Sequence, residues 1–175
     1  KILNLMNRKH TINEYLKVYD QLKEINFNIE FSSDFIIGYP GEEEVDFNNT
    51  LNLIRKIKFV NSYSFIFSPR PGTVAANLEL IDKKISMERL EKVQNLLFEN
   101  QIKMNKSLEN TCLNVLAENL TEDKKKIFGR SENMTSVIFN GNINDIGKIV
   151  QVKIKHSNRS TLFGEKINNS NQKVA

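Results

Sequence analysis

The chain has 175 residues, 39% of them hydrophobic and 11 of them Phe, with 25 basic and 21 acidic side chains for a formal net charge of +4. That length suits one domain, or an incomplete domain with a small appended one, and no stretch approaches the roughly 20 apolar residues of a membrane span. The single cysteine, Cys112, excludes an internal disulfide and cannot hold a metal site alone, so the cytosol is the expected compartment, with no membrane partner.

The opening residues form an apolar segment with none of the marks of a secretory signal, and they read as an excerpt of a longer chain. From Thr11 to about Asn26 a helix is predicted: Thr11 and Glu14 make a capping box, and Ile12, Tyr15, Leu16, Tyr19 and Leu22 line one face. Ile29 to Gly38 then suits a buried parallel strand, ending in Gly-Tyr-Pro-Gly. The acids Glu42, Glu43 and Glu44 complement the dipole of a second helix, which carries Phe47, Leu51 and Ile54 and runs to about Lys56. Val60 to Phe67 is again strand-like, and Tyr63, Phe65 and Phe67 are expected in the core. After a polar loop through Asp82, a long helix from Ser86 to about Lys106 carries Leu90, Val93, Leu97 and Met104 near one face.

Alternating helices and strands with short connections indicate part of a parallel βα-barrel, which two strands cannot close. Beyond Leu108 the period changes to five short strands: Cys112–Glu118, Lys126–Arg130, Ser136–Asn140, Ile149–Lys155 and Thr161–Glu165. They predict a small antiparallel β-barrel, closed or partly open, in which Val150, Val152 and Ile154 face inward and Gln151, Lys153 and Lys155 outward. Cys112 reads as a small buried hydrophobe of the first of these strands. The expected class is therefore α/β: the C-terminal half of a partial parallel βα-barrel over residues 1–104, a five-stranded barrel over 105–168, and a disordered tail over 169–175. Residues 1–107 carry 15 basic and 14 acidic side chains and residues 108–175 carry 10 and 7, so basic surface is slightly favoured in the second part.

Three segments in order, Met6-Asn7-Arg8-Lys9-His10-Thr11, FSSDFIIGYPGE from Phe31 and YSFIFSPRPGT from Tyr63, closely resemble the radical S-adenosylmethionine methylthiotransferases. With FGRSENMTSVIF from Phe128, they are most similar to the branch acting on prenylated adenosine in tRNA. The likeness covers nearly all of residues 1–167. It implies S-adenosylmethionine as cofactor and tRNA as partner, together with the N-terminal portion of the same enzyme. It also implies two four-iron clusters in the complete enzyme, whose cysteine ligands, including a CxxxCxxC loop, are absent from these 175 residues. A cluster needs several thiolates. The chain alone is therefore expected to be inactive, with no catalytic or metal-ligating residue of its own. The alternative expectation is a non-catalytic RNA-binding fragment of a split or decaying gene.

The resemblance also implies that Gly38-Tyr39-Pro40-Gly41 lies beside the cofactor, with Asp34 and Gly38 nearby. A tight strand-to-helix turn is the competing reading. Arg8, just before a capped helix, is a candidate for the cofactor carboxylate or a solvated cation, and Glu42 reads as a first-turn acid. Arg70, between two prolines, could meet cofactor, tRNA phosphate or an internal carboxylate. In the second part the likeness implies a TRAM domain, with Phe128, Arg130 and Phe139 as stacking candidates and Lys153, Lys155 and Arg159 as phosphate contacts.

Overall fold

The computed structural model describes residues 1–167, and the expectation for residues 169–175 falls outside them. Contacts divide the chain after Phe98 into two compact units.

In the first unit, helix α1 (Ile2–Leu5) precedes α2 (Ile12–Ile25), whose start is the predicted capping box: Thr11 Oγ1 accepts from Glu14 N, and Glu14 Oε2 accepts from Thr11 N. Strand β1 (Asp34–Ile37), helix α3 (Glu44–Ile57) and strand β2 (Tyr63–Ile66) follow, and β1 and β2 pair in parallel from Asp34↔Tyr63 to Ile37↔Ile66. The last helix, α4 (Lys83–Ser107), starts three residues before its predicted position because Asp82 Oδ1 accepts from the backbone of Lys84 and Ile85.

Period-2 alternation gives the small sheet two unlike faces. Phe35 and Ile37 point into a core with Phe47, Leu51, Ile54 and Ile57 of α3, Phe59, and Val93 and Leu97 of α4, while Tyr15, Leu16 and Tyr19 of α2 cover its edge. Each such side chain contributes about 1.5–3 kcal/mol when fully buried. The opposite face carries Asp34, Ile36, Tyr63 and Phe65. The expectation that Tyr63 and Phe65 are core residues is corrected: they are 67% and 53% exposed, because their parity turns them away from the helices.

The second unit is a closed barrel of β3 (Cys112–Leu120), β4 (Ile127–Ser131), β5 (Ser136–Asn140), β6 (Ile149–Ser157) and β7 (Thr161–Lys166), in the order β3-β4-β5-β7-β6 with β6 pairing back onto β3. Its interior holds Val115, Ala117, Ile127, Val137, Phe139, Val150, Val152, Ile154 and Leu162. The barrel is mixed, not purely antiparallel. After β5 the chain passes through the 3-10 turn Ile143–Asp145 to β6, and the β6–β7 hairpin returns β7 parallel to β5. Cys112 is also corrected, since it is exposed at the outward-facing first position of β3.

Asp145 ties the crossover to the last strand. Lys166 Nζ lies 2.5 Å from its Oδ1, and Asn142 N donates to its Oδ2. The Lys166 hydrogen bond, followed by that of Asn142, holds this carboxyl below the usual aspartate range. A depressed folded pKa gives stability that is present above the unfolded value, near 3.9, and is lost as pH falls through the folded one. Acid titration followed by far-ultraviolet circular dichroism is expected to unfold the wild-type barrel with a steeper dependence below about pH 4 than Asp145→Asn.

Candidate cofactor loop and nucleic-acid interface

The strand β1 runs directly into the loop Gly38-Tyr39-Pro40-Gly41-Glu42. Gly38 adopts φ +74°, and a Cβ there would lie 2.6 Å from Ser86 Oγ of α4. Its glycine is thus required by the left-handed backbone and by close contact with α4. Gly38 N donates to Glu42 Oε2 at 3.1 Å.

Glu42 is not the first-turn acid predicted for it, a role that Glu44 and Asp46 take. It is 8% exposed and paired with Arg89 of α4, itself 7% exposed. Arg89 Nη1 donates to Glu42 Oε1 at 2.8 Å and to its carbonyl at 3.1 Å, and Nη2 reaches Glu44 Oε2 at 3.1 Å. The guanidinium also lies 5.2 Å from the Phe47 ring centre. Burial pushes the Glu42 carboxyl above its ordinary range, against the lowering effects of Gly38 N–H and Arg89. Arg89 is the positioning residue that sequence reasoning missed. In Ser-Met-Glu-Arg-Leu-Glu it resembles any helix-surface cation, and its partner lies 47 residues away.

Neighbouring segments converge on this loop. Tyr39 Oη donates to the Leu5 carbonyl, Leu5 Cδ1 would lie 3.9 Å from a Cβ at Gly41, and Phe67, extending β2, packs edge-on against Tyr39 at 4.9 Å. Arg8 and Arg70, both exposed, each stand three residues beyond these anchors. Three of the four candidate cofactor residues, Arg8, Gly38 and Arg70, therefore belong to segments meeting at the C-terminal edge of the sheet, where βα folds bind ligands. Asp34 does not join them: it begins β1, about 13 Å from Gly38 at strand rise, and faces the exposed side of the sheet.

Beside the loop lies an open cleft of about 510 Å³ lined by Leu5, Pro40, Gly41, Leu78, Glu79, Leu80 and Ile81. Its apolar walls suit a flat heterocycle. The donor set does not suit an iron–sulfur cluster. Among the described residues no three His, Cys, Asp or Glu side chains group as metal ligands.

On the barrel, Phe128 and Arg130 project outward from β4 and form a pair, with the guanidinium 5.7 Å from the ring centre. Arg130 also lies 3.5 Å from Glu118 and donates to the Met134 carbonyl. Lys153 and Lys155 project outward from β6, Lys155 being 3.0 Å from Glu165. Arg159 is exposed in the β6–β7 turn, where its carbonyl accepts from the buried Asn105 side chain. Phe139 is corrected as a stacking candidate, because it is 1% exposed inside the barrel.

Residues 106–167 match the TRAM domain, so the closed five-stranded barrel is that of a TRAM-bearing protein. Along all 175 residues the chain is 67% identical to the tRNA-2-methylthio-N(6)-dimethylallyladenosine synthase of Pelagibacter ubique, covering 39% of that protein. Synthases of the same name from Ruthia magnifica and the Wolbachia pipientis strain wMel are 41% and 39% identical over 95% and 94% of this chain, each covered to 38%. The chain is similar to these synthases along all or nearly all of its length and spans about two fifths of theirs.

Proposed function

We propose that the chain forms the cofactor-edge loop and the RNA-holding barrel of a tRNA methylthiotransferase that converts dimethylallyl-adenosine beside the anticodon to its 2-methylthio derivative. The observation that carries this reading is the 67% identity along the whole chain to a synthase of that name. The geometry supports it, with Arg8 and Arg70 near a glycine-turned loop at the ligand-binding edge of a parallel sheet and an outward aromatic-basic face on a small barrel.

S-adenosylmethionine, with iron–sulfur clusters held by cysteines elsewhere in the complete enzyme, supplies the radical and methyl chemistry. Arg8 and Arg70 are the cations for its carboxylate, and the cleft beside Pro40 and Gly41 takes its apolar surface. Arg89 holds the loop rigid through Glu42. Phe128, Arg130, Lys153, Lys155 and Arg159 hold the tRNA. Work on tRNA places the enzyme in the cytoplasm, and no described helix is long and apolar enough to cross a membrane.

Grafting these 175 residues in place of the matching segment of the Pelagibacter ubique relative tests the whole reading. Retained 2-methylthio-adenosine in tRNA, measured by nucleoside mass spectrometry, is the expected result. A folded chimera that binds tRNA but leaves the adenosine unmodified would favour a second reading, RNA binding without catalysis. For the chain by itself, tRNA affinity is expected to fall log-linearly with salt, with a slope of about −0.7 to −0.9 per phosphate contacted. Replacing Lys153 with Gln should lower that slope by about one contact.

A further inference from the structure

Two β-bulges give the barrel an outer row that its alternation would not produce. On β6, Val150, Val152 and Ile154 face inward, so period 2 would send residue 156 inward as well. The register instead shifts between Ile154 and His156, leaving Lys155 as the extra residue and pairing His156 with Phe163. On β3, Val115 and Ala117 face inward, and a shift between Ala117 and Asn119 pairs Asn119 with Phe128 on the outside. Bulges re-aim side chains in this way, and they concentrate beside functional sites.

The two re-aimed residues end one continuous register across the barrel: Asn119↔Phe128↔Ile138↔Phe163↔His156. Phe128, Ile138 and Phe163 are half-buried and the two ends are exposed. The His156 ring stacks on Phe163 at 4.6 Å and 5° between planes, and Phe128 is backed by the Arg130 guanidinium at 5.7 Å. Phe128 and Phe163 sit two strands apart, about 10 Å, with Ile138 between them. Arg130, Ser136 and Thr161 form the neighbouring row on one side, and Asn140, Glu165 and Lys153 on the other.

We propose that the row Phe128–Ile138–Phe163–His156 is a stacking platform for two unpaired nucleobases of a single-stranded RNA loop, one on the His156–Phe163 pair and one on Phe128 backed by Arg130. This rests on the reading that the barrel binds RNA, and adds that it takes splayed bases as well as phosphates. The stripe is one residue wide, too narrow for a protein interface core. It is bordered by hydroxyl and amide groups that meet base edges and by cations that meet phosphates. Flat rings interleaved with such groups on a strand surface are what sequence-tolerant single-strand binders use.

The 175-residue chain is titrated with a single-stranded heptanucleotide containing 2-aminopurine, and with the same sequence as a blunt duplex. Tighter binding of the single strand, with quenched 2-aminopurine fluorescence, is expected. Phe163→Leu, which keeps apolar cover over the barrel, and His156→Ala should each weaken single-strand binding by about 5- to 100-fold and relieve the quenching. The salt slope should stay unchanged, since no phosphate contact is removed. Phe128→Leu provides an independent second probe, and circular dichroism checks the fold of each variant. Unchanged affinity and quenching in all three folded variants, or equal binding of the duplex, overturns the platform while leaving RNA binding by the barrel intact. No binding of either RNA at low salt overturns the underlying reading as well.

Discussion

Arg89→Ala is expected to destabilise the first unit by about 3–5 kcal/mol, the cost of leaving a buried charge without its partner. The variant loses two hydrogen bonds to Glu42, the contact with Glu44 and the guanidinium over Phe47. It also removes a group that lowers the Glu42 pKa, leaving Gly38 N–H against the burial that raises it. A raised folded pKa makes the native state bind the extra proton, so stability is present at low pH and lost as pH rises through the folded value. Urea unfolding should therefore show a deficit that shrinks as pH falls toward the ordinary glutamate range. Arg89→Met combined with Glu42→Gln is expected to recover most of the loss, since a buried pair replaced as a pair is often near neutral. An Arg89→Ala protein as stable as wild type at neutral pH would show that the ion pair does not hold the loop.

Gly129→Ala should be nearly as damaging, and in the other unit. A Cβ at Gly129 would lie 2.3 Å from the Leu116 carbonyl oxygen and 2.9 Å from Val115 Cγ1. The first obstacle is backbone on the paired strand, so no rotamer change relieves it, and β3 and β4 must separate. Overpacking usually costs 1–3 kcal/mol, and a backbone clash places this site at about 3 kcal/mol or more. Amide hydrogen exchange is the informative measurement, with protection lost along Val115–Leu120 and Ile127–Ser131 before it is lost elsewhere. Uniform protection matching wild type would contradict the strand contact.

Most elements were legible because their signals are local. The Thr11–Glu14 box, the glycine after β1 and the change of period after Leu108 each act within a few residues. The inward set on β6 followed directly from alternation. What alternation does not encode is which of two faces becomes covered, and so Tyr63 and Phe65 were expected inside and are not. Cys112 fails for the same reason, since its strand parity faces outward. Phe139 looked as able to stack as Phe128, but its cross-strand partner is the inward Ile127, whereas Phe128 pairs with the outward Ile138. The bulges after Ala117 and Ile154 depend on cross-strand hydrogen bonding and leave no mark in the local sequence, which hid His156. The Glu42–Arg89 pair is a contact between distant segments, and neither residue is unusual where it stands.

The position of β7 bears on how the barrel is made. In chain order β7 is the fifth strand of the barrel, and it is inserted between β5 and β6, pairing with both. No earlier subset of strands closes the ring, because β5 and β6 have no neighbour on that side until Thr161–Lys166 arrives. Without β7 the other four strands form an open sheet with two unpaired edges, a condition prone to strand exchange between chains. A stop codon between Ser157 and Thr161 would leave that open sheet as the final product.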